Sequence, residues 1–351
     1  MHIALFTDAW RPQVNGVVRT WENVIAALAT PALGGHRVHV THPNHFQTVP
    51  APKYPEIRLA VAPGRQIRAL LDRHVLHAAP DDPDRIDAIH IATEGPIGRT
   101  ARRWCRTHGI RYTTSYHTQF PQYLNRYFRI PEWTTYTFVK WFHGASHAVL
   151  VPTQRVNDEL TAKGVDNVVT WRRGVDTQQF HPTAEAPGFR PRFDGLPRPV
   201  FLSVGRVAVE KNIAAFAEAD LPGTKVIVGD GPARDDLAAQ YPDIHWAGTQ
   251  TGADLADHYR DADVSVFPST TDTYGVVMLE ANACGLPVAA YPVTGPIDVV
   301  VPGVTGVLDA DLATAAQKAL DIDPAGCIAH ARRNTWAACA HDVLDHLAPI
   351  G

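Results

Sequence analysis

The 351-residue chain has few cysteines, two methionines and no long apolar run. Each shortage closes off a class of protein. Its four cysteines (Cys105, Cys284, Cys327, Cys339) lie far apart, without metal-ligand spacing or the density of a disulfide scaffold, and are expected to be reduced thiols in a cytoplasmic protein. No stretch of about 18 apolar residues occurs, so no transmembrane helix is expected. The opening MHIALFTDAW has no basic stretch ahead of its apolar run and reads as a first β-strand rather than a signal peptide. The first strand and turn lack G-x-G-x-x-G, which disfavours an NAD-dependent oxidoreductase. No P-loop pattern and no internal repeat occurs.

What is present is a globular composition, 45% hydrophobic and 19% charged, long enough for two domains with separate cores. The net charge of −4 hides an imbalance. Residues 1–180 hold 21 Lys and Arg against 14 Asp and Glu (+7), and residues 181–351 hold 11 against 22 (−11). Such asymmetry points the first half toward an anionic partner: a membrane surface, nucleic acid or a phosphorylated acceptor. Nucleic acid is disfavoured because no recognisable module accompanies the charge.

Short β-branched runs alternate with helical stretches. Expected strands in the first half are His2–Asp8, Arg37–Pro43, Ile57–Val61, Ile86–Thr93, Arg111–His117, His147–Pro152 and Asn167–Trp171. Helices are expected over Gly16–Ala29, Gly95–His108 and Gln154–Lys163. The plan restarts with Val200–Gly205, Lys225–Gly229, Ile244–Gly248, Val264–Pro268 and Val288–Tyr291. This alternation predicts an α/β fold of two parallel, doubly wound sheets covered by helices on both faces. The expected division is a first domain over 1–180, a Pro-rich linker over 181–199, a second domain over 200–323, and a final helical segment over 324–351.

In doubly wound sheets ligands bind beyond the carboxyl ends of the strands. The stretch STTDTYGVVMLEANACG, Ser269–Gly285, follows the apolar strand DVSVFP. A helix beginning near Gly275 leaves the amides of Tyr274, Gly275, Val276 and Val277 as donors for a pyrophosphate. Asp272 is placed to accept from sugar hydroxyls, and Glu280 from a ribose diol. The bland alternatives are an N-cap and a solvated helix residue, but Glu280 has small, apolar neighbours, and an acid in such a context needs a specific partner. In SVGRVAVEKN, Arg206 and Lys211 stand at a strand exit, where two cations would stabilise charge on a departing diphosphate. The turn VIVGDGP offers Asp230 and Gly231, where glycine permits close approach of a ligand to the backbone. The loop holding Thr249 is expected to read the base. In the first half, Gly16 opens a helix with a further amide for phosphate. His117 ends the strand of YTTSYHTQ, where a structural role is the competing reading.

From Gln119 to Trp141 aromatic residues, among them Tyr123, alternate with Arg126, Arg129 and Lys140. Upstream, Arg65, Arg68 and Arg73 share a helix with Ile67, Leu70 and Leu71. Basic amphipathic stretches with aromatics suit an anionic bilayer; the rival reading makes the aromatics core.

These motifs together resemble glycosyltransferase family 4. DTYGVVMLE is similar to that family's E-x(7)-E motif, with aspartate in place of the first glutamate. VGRVAVEKN is similar to its Arg–Lys diphosphate clamp, and VGDGP, SYHTQF and VNGV also match. The resemblance covers essentially the whole chain. It implies a GT-B architecture, with two Rossmann-like domains facing a cleft and the last helix crossing back to the first domain. It implies a retaining transferase using a nucleotide-sugar such as UDP-glucose, UDP-glucuronate or GDP-mannose, with no cofactor and no metal. By the same resemblance His117, Arg206, Lys211 and Asp272 act at the reacting centre. Gly16, Asp230, Gly231, Thr249, Tyr274, Gly275, Val276, Val277 and Glu280 bind the donor. The basic, aromatic first half, with Arg65, Arg68, Tyr123, Arg126 and Arg129, then implies a membrane lipid acceptor such as diacylglycerol and a peripheral location at the inner face of the cytoplasmic membrane. Two rivals share the donor machinery: transfer to a saccharide or polyprenyl-linked acceptor, and sugar-nucleotide binding without catalysis.

Overall fold

The computed structural model describes residues 1–351 except 14–15, 52–53, 80, 118–128, 130, 186–187, 273 and 351. It divides into two compact units. The first comprises Met1–Arg172 and Trp336–Gly351, the second Arg173–Thr335.

The first unit begins with β1 (His2–Phe6) and β2 (Arg37–Thr41), followed by a hairpin of β3 (Thr48–Ala51) and β4 (Tyr54–Ala60). Then come β5 (Ala88–Ile91), β6 (Thr113–Ser115), β7 (Val149–Val151) and β8 (Val168–Thr170). Six of these form a parallel sheet in the order β2-β1-β5-β6-β7-β8. All four residues of β5 are buried, as expected for a parallel strand covered on both faces. The expected strand Ile57–Val61 falls in β4 and departs from the parallel plan. No helix separates β3 from β4, so the chain turns straight back and pairs antiparallel.

The second unit holds β9 (Val200–Val204), β10 (Thr224–Val228), β11 (His245–Gly248), β12 (Val264–Phe267), β13 (Val288–Ala290) and β14 (Gly306–Leu308). Their parallel order is β11-β10-β9-β12-β13-β14, the doubly wound order of dinucleotide-binding sheets. The short strand β14 is not legible in the sequence. It opens on Gly306, where a Cβ would stand 2.0 Å from the carbonyl oxygen of Val288. The lack of a side chain on this glycine is what lets the strand close on β13.

The Pro-rich stretch before β9 is stitched to the second unit. Phe193 is buried in its core. The amides of Arg192 and Phe193 donate to Asp261 Oδ2 at 2.5 and 2.7 Å, and Arg198 reaches Asp261 Oδ1 at 2.6 Å. The final helical stretch is two helices. Pro324–Arg333 packs on the helix Val276–Ala283 and buries Ala331 in the second core. Trp336–His346 packs on Gly16–Leu28 and adds Cys339, Ala340 and Val343 to a core with Trp21, Val24 and Leu28.

Candidate active site

In the second unit β9 and β12 are neighbours although two strands separate them in sequence. The strand order reverses here, which is where open α/β sheets bind ligands. The two strand exits are tied together. Asn212, held at φ 55°, donates Nδ2 to the Pro268 carbonyl at 3.1 Å, and Thr271 Oγ1 donates to the Glu210 carbonyl at 3.1 Å. Lys211 Nζ donates to Asp272 Oδ1 at 2.5 Å. The other carboxylate oxygen of Asp272, Oδ2, is buried and has no hydrogen-bond partner among the described residues. A buried acceptor left this way is satisfied when a ligand hydroxyl reaches it.

Gly275 lies immediately before the helix Val276–Ala283 at φ 86°. A Cβ there would come within 2.7 Å of Met278 Cε and 2.9 Å of Phe267 Cζ, so both the left-handed backbone and the space demand glycine. Met278 N–H bonds back to the Gly275 carbonyl at 3.0 Å. The amides of Val276 and Val277 open the helix and carry the positive end of its dipole. Tyr274 is half-buried beside them. Thus Lys211, Asp272 and this helix start are brought together. Arg206 stands further out, largely exposed, with its guanidinium 3.8 Å from Glu210.

Glu280 is 1% exposed, and its Oε2 accepts the hydroxyl of the fully buried Tyr259 at 3.1 Å. Burial with a specific partner is what its apolar neighbours predict. The partner itself, on the preceding helix Gly252–Asp261, had no signal in the sequence beyond a tyrosine in a helical stretch. The glycines of VIVGDGP let two strand-exit loops approach each other closely. A Cβ on Gly229 would lie 1.8 Å from the Gly205 carbonyl oxygen, and one on Gly231 2.3 Å from that of Val207. The two strand-exit loops pack backbone to backbone, joined by Val207 N–H to the Asp230 carbonyl at 2.9 Å. Asp230 Oδ1 accepts the Gly231 amide at 2.7 Å. Thr249 is exposed, in the loop after β11.

In the first unit His117 follows β6 and is half-buried. The Trp21 indole N–H donates to its Nε2 at 3.1 Å, and the Ser115 hydroxyl lies 2.8 Å from the same nitrogen. An indole can only donate, so Nε2 is an acceptor and the neutral ring carries its proton on Nδ1. Behind it a buried line of polar groups runs from Thr113 to His90 Nδ1 (2.8 Å) and from His90 Nε2 to Ser115 (3.1 Å). Complete burial, with the charge of His143 nearby, pushes the His90 imidazole down to about 3. His90, Ser115 and Trp21 therefore orient His117, and only the fold joins these dispersed residues. Gly16 opens its helix, and a Cβ there would meet nothing within 4 Å.

At the end of β1, Asp8 accepts the amides of Ile97 at 2.9 Å and Gly98 at 3.2 Å, with Thr93 Oγ1 donating at 3.0 Å. The start of the helix Pro96–His108 is thereby filled by a side-chain carboxylate. Burial raises the Asp8 pKa, and the two amides and Thr93 oppose the rise.

Arg65 and Arg68 are exposed on the helix Gly64–Leu71, whose Ile67 and Leu71 are buried. They line a cavity of about 560 Å³ with Asp72. Arg129 is exposed at φ 54°. Tyr123 and Arg126 lie outside the described residues. The aromatic stretch divides: Tyr136 is core, whereas Trp133, Phe138 and Trp141 are exposed.

The two parallel α/β units are those of a GT-B architecture. The chain belongs to glycosyltransferase family 4. Residues 14–179 match the family model described as Glycosyltransferase Family 4, and residues 198–322 match Glycosyl transferases group 1. The chain is 30% identical to a GDP-mannose-dependent alpha-mannosyltransferase of Mycobacterium tuberculosis, over 88% of this chain and 83% of that protein. It is 26% identical to an alpha-monoglucosyldiacylglycerol synthase of Streptococcus pneumoniae, over 83% of this chain and 71% of that one. Sucrose-phosphate synthase from Thermosynechococcus elongatus shares the fold, with a TM-score of 0.68 at 22% identity over 98% of this chain and 97% of that one. The protein is therefore a glycosyltransferase whose relatives include enzymes of lipid glycosylation.

Proposed function

We propose that the protein is a retaining hexosyltransferase that moves a hexosyl group from a nucleoside-diphosphate sugar to a membrane lipid such as diacylglycerol, forming an α-glycolipid at the inner face of the cytoplasmic membrane. The observation that carries this reading is the Lys211–Asp272 pair at the start of the helix Val276–Ala283, with one Asp272 oxygen unsatisfied. The ammonium and the helix amides meet the diphosphate, Arg206 adds a second cation, and the open oxygen of Asp272 takes a sugar hydroxyl. As the bond from the anomeric carbon to the phosphate oxygen breaks, the charge growing on the leaving group is met by these donors. The acceptor hydroxyl attacks from the same face, its oxygen bonds to the anomeric carbon, and its proton passes to the departing phosphate. No protein carboxylate acts as nucleophile and no divalent metal takes part, so activity persists in EDTA. The name of one relative supports a GDP-mannose donor and that of another a diacylglycerol acceptor.

A thermal-shift screen of UDP- and GDP-sugars tests the reading, because a ligand bound only by the folded state raises Tm by mass action. One donor is expected to stabilise the wild type and to fail with Lys211→Ala. Turnover in that variant is expected to fall by about 10²–10³-fold. A product of inverted anomeric configuration, or an unaffected Lys211→Ala enzyme, overturns the proposal.

A further inference from the structure

We infer that the first unit carries a phospholipid-headgroup seat on the helices Pro96–His108 and Glu132–His143, by which the protein docks on an anionic bilayer. This deepens the lipid-acceptor reading by assigning the docking surface, and it can fail while that reading stands. The seat is a cavity of about 960 Å³, bounded by those helices and by the turns at 144–145 and 164–167. Arg99, Arg103 and Arg106 recur at helical spacing of four and three, so they form one stripe along its wall. Lys140 closes the opposite side. Its ammonium lies over Gly164, where a Cβ would stand only 2.6 Å from Nζ. All four side chains are exposed, and among the described residues none is in an ion pair. Asp166 is the acid in the lining, so the seat keeps a clear positive excess.

Arg102 makes the wall rigid. Buried between the helices, it donates Nε to the Phe142 carbonyl at 2.8 Å and a second N–H to the Trp141 carbonyl, and lies 4.1 Å over the Trp141 ring. It thereby satisfies carbonyls at the helix end and fixes Trp141 beside the cavity. The same helix exposes Trp133 at 72%, Trp141 at 52% and Phe138 at 37%, while Thr135, Tyr136, Val139 and Phe142 face inward. Large aromatics held in water next to unpaired cations match one partner in particular. A bilayer surface offers phosphate oxygens for the arginines and an interfacial layer in which indole rings are stable.

Vesicle flotation of the full chain tests this, with phosphatidylcholine alone or mixed with phosphatidylglycerol, at low and high salt. Wild type is expected to float with the anionic vesicles at low salt and to be released by salt. The triple variant Arg99→Ala, Arg103→Ala, Arg106→Ala is expected to lose about two orders of magnitude in partitioning. It should keep the wild-type thermal unfolding curve and nucleotide-sugar shift. The exposed Arg155→Ala serves as the control and floats like wild type. Should the triple variant fold poorly, Arg103→Glu alone is expected to reduce flotation. Brominated lipid should quench tryptophan emission less in Trp141→Phe. Flotation unchanged in the arginine variants overturns the inference. So does equal binding to neutral vesicles, or a seat that takes inorganic phosphate or RNA but leaves the protein in solution beside vesicles.

Discussion

At the scale of single residues, the two halves use aspartate in opposite ways. Asp272 keeps one buried oxygen without a partner among the described residues, whereas Asp8 commits both of its oxygens to amides at the start of the helix Pro96–His108. His90 is a buried base whose neutral form is built into the core. Its folded pKa, about 3, lies below the ordinary value near 6.5. The unfolded chain therefore takes up a proton in a range where the native state does not, and stability is full above about pH 6.5 and falls as pH drops toward 3. The loss from this one group is on the order of a few kcal/mol. Urea unfolding at pH 7 and pH 4.5 should show it, and His90→Gln should flatten the dependence while lowering stability at pH 7. A slope unchanged by His90→Gln would remove His90 as its source.

Among the elements, the strand-exit loops of the second unit decide the site's shape. The loops after β9 and β10 lie backbone against backbone because Gly205, Gly229 and Gly231 adopt positive φ. Gly229→Ala places a methyl 1.8 Å from the Gly205 carbonyl, so one loop has to move. The expected cost is about 2–4 kcal/mol of stability. Thermal unfolding checks the cost. Donor affinity should fall as well, since Lys211 leaves the same loop, and an alanine variant with wild-type Tm and affinity would contradict this packing.

For the molecule as a whole, the last helix contributes to a core made by the beginning of the chain. Trp336–His346 covers Trp21, Val24 and Leu28 with Cys339, Ala340 and Val343. Truncation after Thr335 is expected to uncover that face and to unfold or aggregate the first unit. The second unit ends at Thr335 and should retain its own cooperative transition. Calorimetry of the truncated chain distinguishes the two losses, and two undiminished transitions would show the helix to be dispensable.

The sequence by itself determined the class and much of the layout. Apolar β-branched runs announce parallel strands because burial on both faces demands it, and the expected Val200–Gly205 and Val264–Pro268 each end one residue beyond β9 and β12. DTYGVVMLE and VGRVAVEKN singled out Asp272, Glu280, Arg206 and Lys211 as candidates, and of these the fold brings Lys211 and Asp272 into contact. The tertiary structure alone decided what depends on distant segments meeting. It set the antiparallel hairpin β3–β4, the closing strand β14, the bond from Tyr259 to Glu280, and the line from His90 through Ser115 to His117. It also gathered Arg99, Arg103, Arg106 and Lys140 around one cavity. Periodicity records which face of an element is buried, but it holds no information about which other element's side chain arrives there. That is settled by the packing of sheet and helices around a shared core.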